Sequence, residues 1–246
     1  MTTQNNTRVA LVTGGSGGIG KAAVRRLAAD GYAVAVHYSG NKAAADALVA
    51  EIAERGGRAI AVGADVADET AVEALFDETE RAFGGLDVVV NTAGIMALGP
   101  IAEYGLDQFD RIVRTNLRGT FVVSRAAARR VREGGAVINF STSVTRTQLP
   151  GYGPYVATKA AVEALTLVLA RELRGRDITV NTVAPGPTAT PLFLDGKDER
   201  TVETLAKAAP LERLGRPEDI AETVAFLAGP ARWVNGQTLF TNGGLA

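Results

Sequence analysis

Short apolar runs and longer amphipathic stretches alternate along almost the whole chain. Val, Ile, Leu and Ala crowd into runs at 8–12, 32–37, 58–62, 87–90, 136–140, 179–183 and 237–240, bounded by Gly, Asp or Asn, as buried strands are. Between them the spacing of apolar positions lengthens to a helical period at 19–29, 42–55, 68–83, 106–132, 155–174 and 217–228. Pro217 opens the last of these at a natural first helical position. Strand and helix in strict alternation predict right-handed crossovers and a parallel sheet covered on both faces. The expected fold class is therefore α/β: a doubly wound, seven-stranded parallel sheet in one domain, 8–246, preceded by a flexible polar tail, 1–7. The segment 185–200 carries Pro185, Gly186, Pro187, Pro191 and Gly196. It is expected to be irregular and to form, with residues up to about 210, a lid over a binding site.

Charge and composition narrow the partners. The 246 residues hold 26 Lys+Arg against 27 Asp+Glu with no long run of either sign, so nothing marks a nucleic-acid surface. No cysteine and a single histidine, His37, exclude a disulfide framework and a thiolate nucleophile and leave no cluster for a metal. No apolar stretch reaches the ~18 residues of a membrane span and the polar start has no apolar leader core, so the expected compartment is the cytoplasm.

The first strand runs into Thr13-Gly14-Gly15-Ser16-Gly17-Gly18-Ile19-Gly20. Glycines at a strand-to-helix turn let backbone N–H groups and the positive end of the helix approach an anion. Two ligands fit the string. Gly15-x-Gly17-x-x-Gly20 satisfies the dinucleotide pattern of Rossmann folds, and Gly15 to Lys21 satisfies most of a triphosphate loop. The latter needs Ser or Thr after its Lys, and Ala22 stands there. Gly14, Ser16, Gly17, Gly18, Ile19 and Gly20 are thus candidates for holding a pyrophosphate. At the end of the second strand Tyr38, Ser39, Asn41 and Lys42 include no carboxylate, which selects NADP(H) over NAD(H), because an acid there would repel a 2′-phosphate. The competing reading is that Asn41 and Lys42 simply start the next helix on a solvated face. His37 reads as ordinary packing at a strand end.

Tyr155 and Lys159 lie one helical turn apart and share a face. A phenol ordinarily titrates near ~10; a neighbouring ammonium is expected to lower that value and let Tyr155 exchange a proton with an alcohol or carbonyl.

These motifs, together with Asp65-Val66, Asn91-Thr92-Ala93-Gly94, Asn116, Pro185-Gly186 and Gly243-Gly244 in this order, make the chain closely similar over its whole length to the short-chain dehydrogenase/reductase family. The subgroup it resembles contains 3-oxoacyl-(acyl-carrier-protein) reductases. The resemblance implies that Asp65 and Val66 contact an adenine, that Asn91, Ala93 and Gly94 line the cofactor cleft, and that Pro185, Gly186 and Thr188 meet the nicotinamide carboxamide. It further implies Tyr155 as proton donor, Lys159 on the nicotinamide ribose, Asn116 supporting a water chain from Lys159, and a homotetramer packed through the two long helices and the last strand.

Two positions depart from the family pattern. The substrate-orienting serine expected 13 residues before the tyrosine falls on Thr142, with Ser143 as the alternative if the loop bulges by one. Asn242 stands where the family has Asp before two glycines, which keeps the turn and drops a charge. Met96, Leu149, Tyr152, Leu192 and Phe193 are expected to wall the substrate pocket, and Arg129, Arg130 and Arg146 are candidate cations for a carrier protein. The reading as a whole is an NADP(H)-dependent reductase of a small carbonyl or alcohol substrate, such as a 3-oxoacyl thioester or another ketone. The alternative is a catalytically silent NADP-binding regulatory protein of the same fold.

Overall fold

The structure, a computed structural model, describes residues 7–246; apart from Thr7, the expected tail 1–7 lies outside the described residues. Seven strands, β1 (Val9–Thr13), β2 (Ala33–Tyr38), β3 (Ala59–Gly63), β4 (Val88–Asn91), β5 (Ala136–Phe140), β6 (Thr179–Pro185) and β7 (Thr238–Thr241), form one parallel sheet in the order β3-β2-β1-β4-β5-β6-β7. The chain reverses its direction of travel across the sheet between β1 and β4. That is where a doubly wound sheet opens a crevice at the carboxyl ends of its strands.

Alternation within each strand explains the two helical layers. Ala10, Val12, Val34, Val36, Val88, Val90 and Ile138 point to one face, under α1 (Gly18–Ala29), α2 (Lys42–Glu54) and α10 (Pro217–Ala228). Val9, Leu11, Ala33, Ala35, Val89 and Val137 point to the other, under α3 (Glu69–Phe83), α5 (Gly119–Arg130) and α7 (Gly153–Glu172). Because both faces are buried, the central strands are apolar at every position rather than every second one.

That apolar character stops along one line. Thr13, Asn91, Asn139 and Thr182 are register partners across β1, β4, β5 and β6, and all four are buried. Thr13 donates to Asn91 Oδ1 (2.9 Å), Asn91 Nδ2 reaches Asn139 Oδ1 (3.5 Å), and Asn139 Nδ2 donates to Thr166 Oγ1 of α7 (3.0 Å), which also accepts from Thr182 (2.8 Å). Each side chain satisfies a neighbour that burial would otherwise leave unpaired.

Two expectations need correction. The helix expected over 106–132 is broken: α4 (Leu106–Ile112) passes through a wider π turn, Val113–Arg118, before α5. Gly119, the first residue of α5, packs closely on Val66, where a Cβ would lie 2.7 Å from Val66 Cγ2. The segment 185–200 is only partly irregular. Pro185 closes β6, and Pro191 begins a short helix, α8 (Pro191–Leu194), whose N-cap Thr190 accepts from Phe193 N (3.2 Å). Asp198 then caps α9 (Glu199–Ala208) through Thr201 N (2.8 Å). A proline at the first position of a helix costs nothing, because its missing N–H has no acceptor there, so these prolines punctuate regular structure instead of preventing it. A further short helix, α6 (Val144–Thr147), follows β5.

The polar row yields a stability test. Asn139→Leu keeps the branched shape but leaves Asn91 Nδ2 with only its long bond to Thr120 O (3.4 Å) and Thr166 without its amide donor. It is expected to cost about 2–3 kcal/mol in denaturant unfolding, and a change under about 0.5 kcal/mol would show that the row bears no weight.

Candidate active site

A cleft of about 450 Å³, walled mainly by apolar side chains, opens at the carboxyl ends of β1, β4, β5 and β6. Its floor on one side is the glycine turn: Gly14, Ser16, Gly17, Gly18, Ile19 and Gly20 all line it. Gly14 and Gly18 hold φ of +64° and +49°, a region that favours glycine, and a Cβ on Gly20 would overlap the Gly14 carbonyl. A Cβ on Gly17 would meet nothing, so the backbone there is open to a ligand. Helices α2, α3, α8 and α9 each start with a side chain that accepts from their first turn. Helix α1 starts at Gly17 with no side-chain cap and no acid in its first turn. Its leading N–H groups have no intrahelical acceptor, and they face a cleft shaped for a phosphate-bearing ligand, which fits a dinucleotide.

On the opposite wall stand Thr142, Ser143, Tyr155 and Lys159. Lys159 is only 4 % exposed and its Nζ donates to Phe140 O (2.9 Å) while lying 5.9 Å from the centre of the Tyr155 ring. Burial without a carboxylate partner pushes the ammonium down to about 8. Burial also pushes the Tyr155 phenol up to about 12, against the pull of its hydrogen bond with Thr142. In the coenzyme-free protein desolvation thus dominates both groups, and the lowering expected of the phenol beside Lys159 is not seen there.

The three consecutive hydroxyls of the β5–α6 loop point in different directions. Ser141 donates to Glu163 Oε1 (2.6 Å), Ser143 donates to Ala184 O (3.3 Å), and Thr142 turns to Tyr155. Glu163, two turns after Tyr155 on α7, also accepts from Thr145 (2.9 Å). It ties the loop bearing Thr142 to the helix bearing Tyr155, a part that sequence spacing did not disclose because the contact crosses from loop to helix.

Other predicted residues lie around this centre. Ala93, Gly94, Pro185, Gly186 and Thr188 line the cleft. Asn116 is fully buried in the π turn, and its amide pairs with both backbone groups of Ile95 (2.8 and 2.9 Å) beside Gly94. Asn91 belongs to the polar row and does not line the cleft. Val66 packs on Gly119, and Asp65 accepts from Ala67 N (2.9 Å) and pairs with Arg114 (2.7 Å) at the exposed end of β3. Tyr38 covers Gly63, Ser39 is exposed, Asn41 caps α2 through Ala44 N (3.0 Å), and Lys42 pairs with Asp46 (2.7 Å). Asn41 and Lys42 thus do start the next helix on a solvated face. Arg129 pairs with Glu73, Arg130 with Glu73, Asp77 and Glu80, and Arg146 lies over the Phe240 ring; none of the three lines the cleft.

The predicted walls Met96, Leu149, Tyr152, Leu192 and Phe193 all face the cleft, joined by Leu205 and Ala208 of α9 and by Leu245. The first two were hidden because 199–208 did not read as a helix over the site. Leu245 is placed by Asn242, whose Oδ1 accepts from Gly244 N (3.0 Å) and whose Nδ2 donates to Ala246 O (3.0 Å), a turn that no periodicity announces.

Comparison with known proteins agrees with this architecture. A family model described as enoyl-(acyl carrier protein) reductase matches residues 14–246. A short-chain type dehydrogenase/reductase of Picea abies is 46% identical over 248 residues, covering 96% of this chain and 92% of that one. The chain belongs to the short-chain dehydrogenase/reductase family. A 3-oxoacyl-[acyl-carrier-protein] reductase of Staphylococcus aureus is 43% identical over 242 residues, covering 97% and 98% of the two chains. Among solved structures, a blue fluorescent protein from a metagenomic library in complex with NADPH superposes with a TM-score of 0.92 at 42% identity, covering 99% and 100%. Members of this family are oxidoreductases, and nothing in the Tyr155 and Lys159 geometry departs from an oxidoreductase site.

The electrostatics of Lys159 can be read in stability. Its value of about 8 in the folded protein lies below its ordinary 10.5, so between these pH values the unfolded chain binds the extra proton and stability rises with pH. The melting temperature of coenzyme-free protein should climb from pH 8 to 10 relative to Lys159→Met. Parallel profiles would refute the burial argument.

Proposed function

We propose that this protein is an NADP(H)-dependent reductase of neutral, apolar carbonyl compounds. The observation that carries the reading is the convergence of Tyr155, Thr142 and Lys159 on the same cleft as the uncapped head of α1. When bound, the nicotinamide supplies hydride to a carbonyl carbon. The chain's own residues do the rest. The N–H groups of the glycine turn and α1 receive the pyrophosphate. Tyr38, Ser39 and Asn41 stand at the end of β2 without a carboxylate to repel a 2′-phosphate, and the NADPH bound by the metagenomic relative supports this preference. Lys159 spends one donor on Phe140 O and keeps two for ribose hydroxyls.

Thr142 and Tyr155 bracket the substrate oxygen, and Tyr155 gives it the proton. A phenol held at about 12 is fully protonated at neutral pH, yet far more acidic than an alcohol, so transfer to a forming alkoxide runs downhill. Asn116 holds the Ile95 strand end beside Lys159, and α8 with α9 closes the cleft as a lid.

Lys159 is the one charged side chain among the described residues lining the cleft. Apolar ketones, including 3-oxoacyl thioesters, therefore suit it better than sugars or keto acids. The ion-paired Arg129 and Arg130 leave an acyl carrier without obvious docking cations, so free thioesters should serve as well as carrier-bound ones. Self-association is supported by Phe121 of α5 and by Leu167 and Val168 of α7, which are 41–51 % exposed. These side chains belong to the helices of a proposed homotetramer.

Following NADPH absorbance with Tyr155→Phe, turnover of an apolar ketone should fall at least ~10²-fold while NADPH affinity stays within about threefold. Unchanged turnover would favour the silent regulatory alternative. Thr142→Val should lose rate where Ser143→Ala does not, and the reverse result would place the orienting hydroxyl on Ser143. In sedimentation the protein should run as a tetramer at micromolar concentration; a monomer there would remove the assembly from the reading.

A further inference from the structure

His37 is the only histidine in the chain, 1 % exposed, and uses every polar atom it has. Its backbone carbonyl accepts from Gly15 N (2.9 Å). Its Nδ1 accepts from Gly14 N (3.0 Å), and its Nε2 meets Ala64 O (3.0 Å). A backbone N–H only donates and a carbonyl only accepts, so the ring has one permitted state: neutral, bare at Nδ1 and protonated at Nε2. The two bonds run to different loops. Gly14 opens the turn that lines the cleft, and Ala64 follows β3 immediately before Asp65. A leucine or phenylalanine would fill this space equally well, but neither could hydrogen-bond to both loops.

Resting on the NADP(H) reading above, we propose that His37 is a positioning residue for the coenzyme. By engaging the N–H groups of Gly14 and Gly15, it turns the first two amides of the glycine turn inward and leaves the pyrophosphate to the amides at the head of α1. The bond to Ala64 O fixes the ring with Nδ1 aimed at Gly14 N. The ring touches no reacting atom; it acts through Gly14. Burial, opposed by the Ala64 bond and the Asp65 charge, holds the imidazole below its ordinary value, in keeping with the neutral state the geometry demands.

The single histidine makes the test direct. In the full chain without an added histidine tag, long-range ¹⁵N–¹H spectra of the coenzyme-free protein at pH 7 should show one imidazole, neutral and protonated at Nε2. A charged ring or the Nδ1–H form overturns the proposal. NADPH binding, measured by fluorescence, should weaken about tenfold or more in His37→Phe, which strands the Gly14 N–H, while kcat at saturating NADPH changes less than about threefold. His37→Asn places Oδ1 where Nδ1 stood, keeps the Gly14 bond, and should bind NADPH within about threefold of the unaltered chain. Unchanged affinity in His37→Phe, or equal loss in both variants, overturns the assignment. If His37→Phe does not fold, the tautomer and the affinity of His37→Asn still decide. Failure of the unaltered chain to bind NADPH defeats the functional reading itself and the proposal with it.

Discussion

A sheet buried on both faces must stop being apolar somewhere, because its last backbone groups have to meet loops, ligands and water. Here it stops along the hydrogen-bonded row from Thr13 through Asn91 and Asn139 to Thr182. The glycine turn and the loops that line the cleft begin one to four residues beyond that row. The glycine turn follows Thr13, the loop of Ala93 and Gly94 follows Asn91, Thr142 follows Asn139 by three positions, and Gly186 follows Thr182 by four. Because the row fixes where four strands end, it also fixes where four loops begin. Loops positioned by a rigid sheet can then place single atoms to fractions of an ångström.

Past the row, desolvation governs. Lys159 and Tyr155 are drawn into the protein without a carboxylate between them, and each is pushed toward its neutral form. The resulting pair suits proton donation: an acid that keeps its proton until an alkoxide appears, and an ammonium with unused donors. The helix α7 is held for this task from both ends of the contact, by Thr166 on the polar row and by Glu163 on the β5–α6 loop.

Much of the fold was legible because its signals are local. Strand and helix periods, glycines at a turn, and Tyr155 four positions before Lys159 are all read within a few residues. The helices within 185–208 were missed for an equally local reason: the prolines read as breakers, while Thr190 and Asp198 cap helices there. The π turn at Asn116 was invisible, since no sequence pattern marks a single widened turn inside a helix. His37 was set aside as packing, because a lone histidine in a strand says nothing of what its two nitrogens meet.

The sequence by itself determined the alternation of strands and helices, the parallel sheet and the place of the glycine turn, because these follow from periodicity and spacing along one chain, while family resemblance pointed to Tyr155 and Lys159. Tertiary structure alone decided which of three adjacent hydroxyls faces Tyr155, that Asn91 serves the sheet and not the cleft, which arginines are already paired, and that burial raises the phenol. Those outcomes depend on distance and desolvation between segments, quantities that no linear pattern contains.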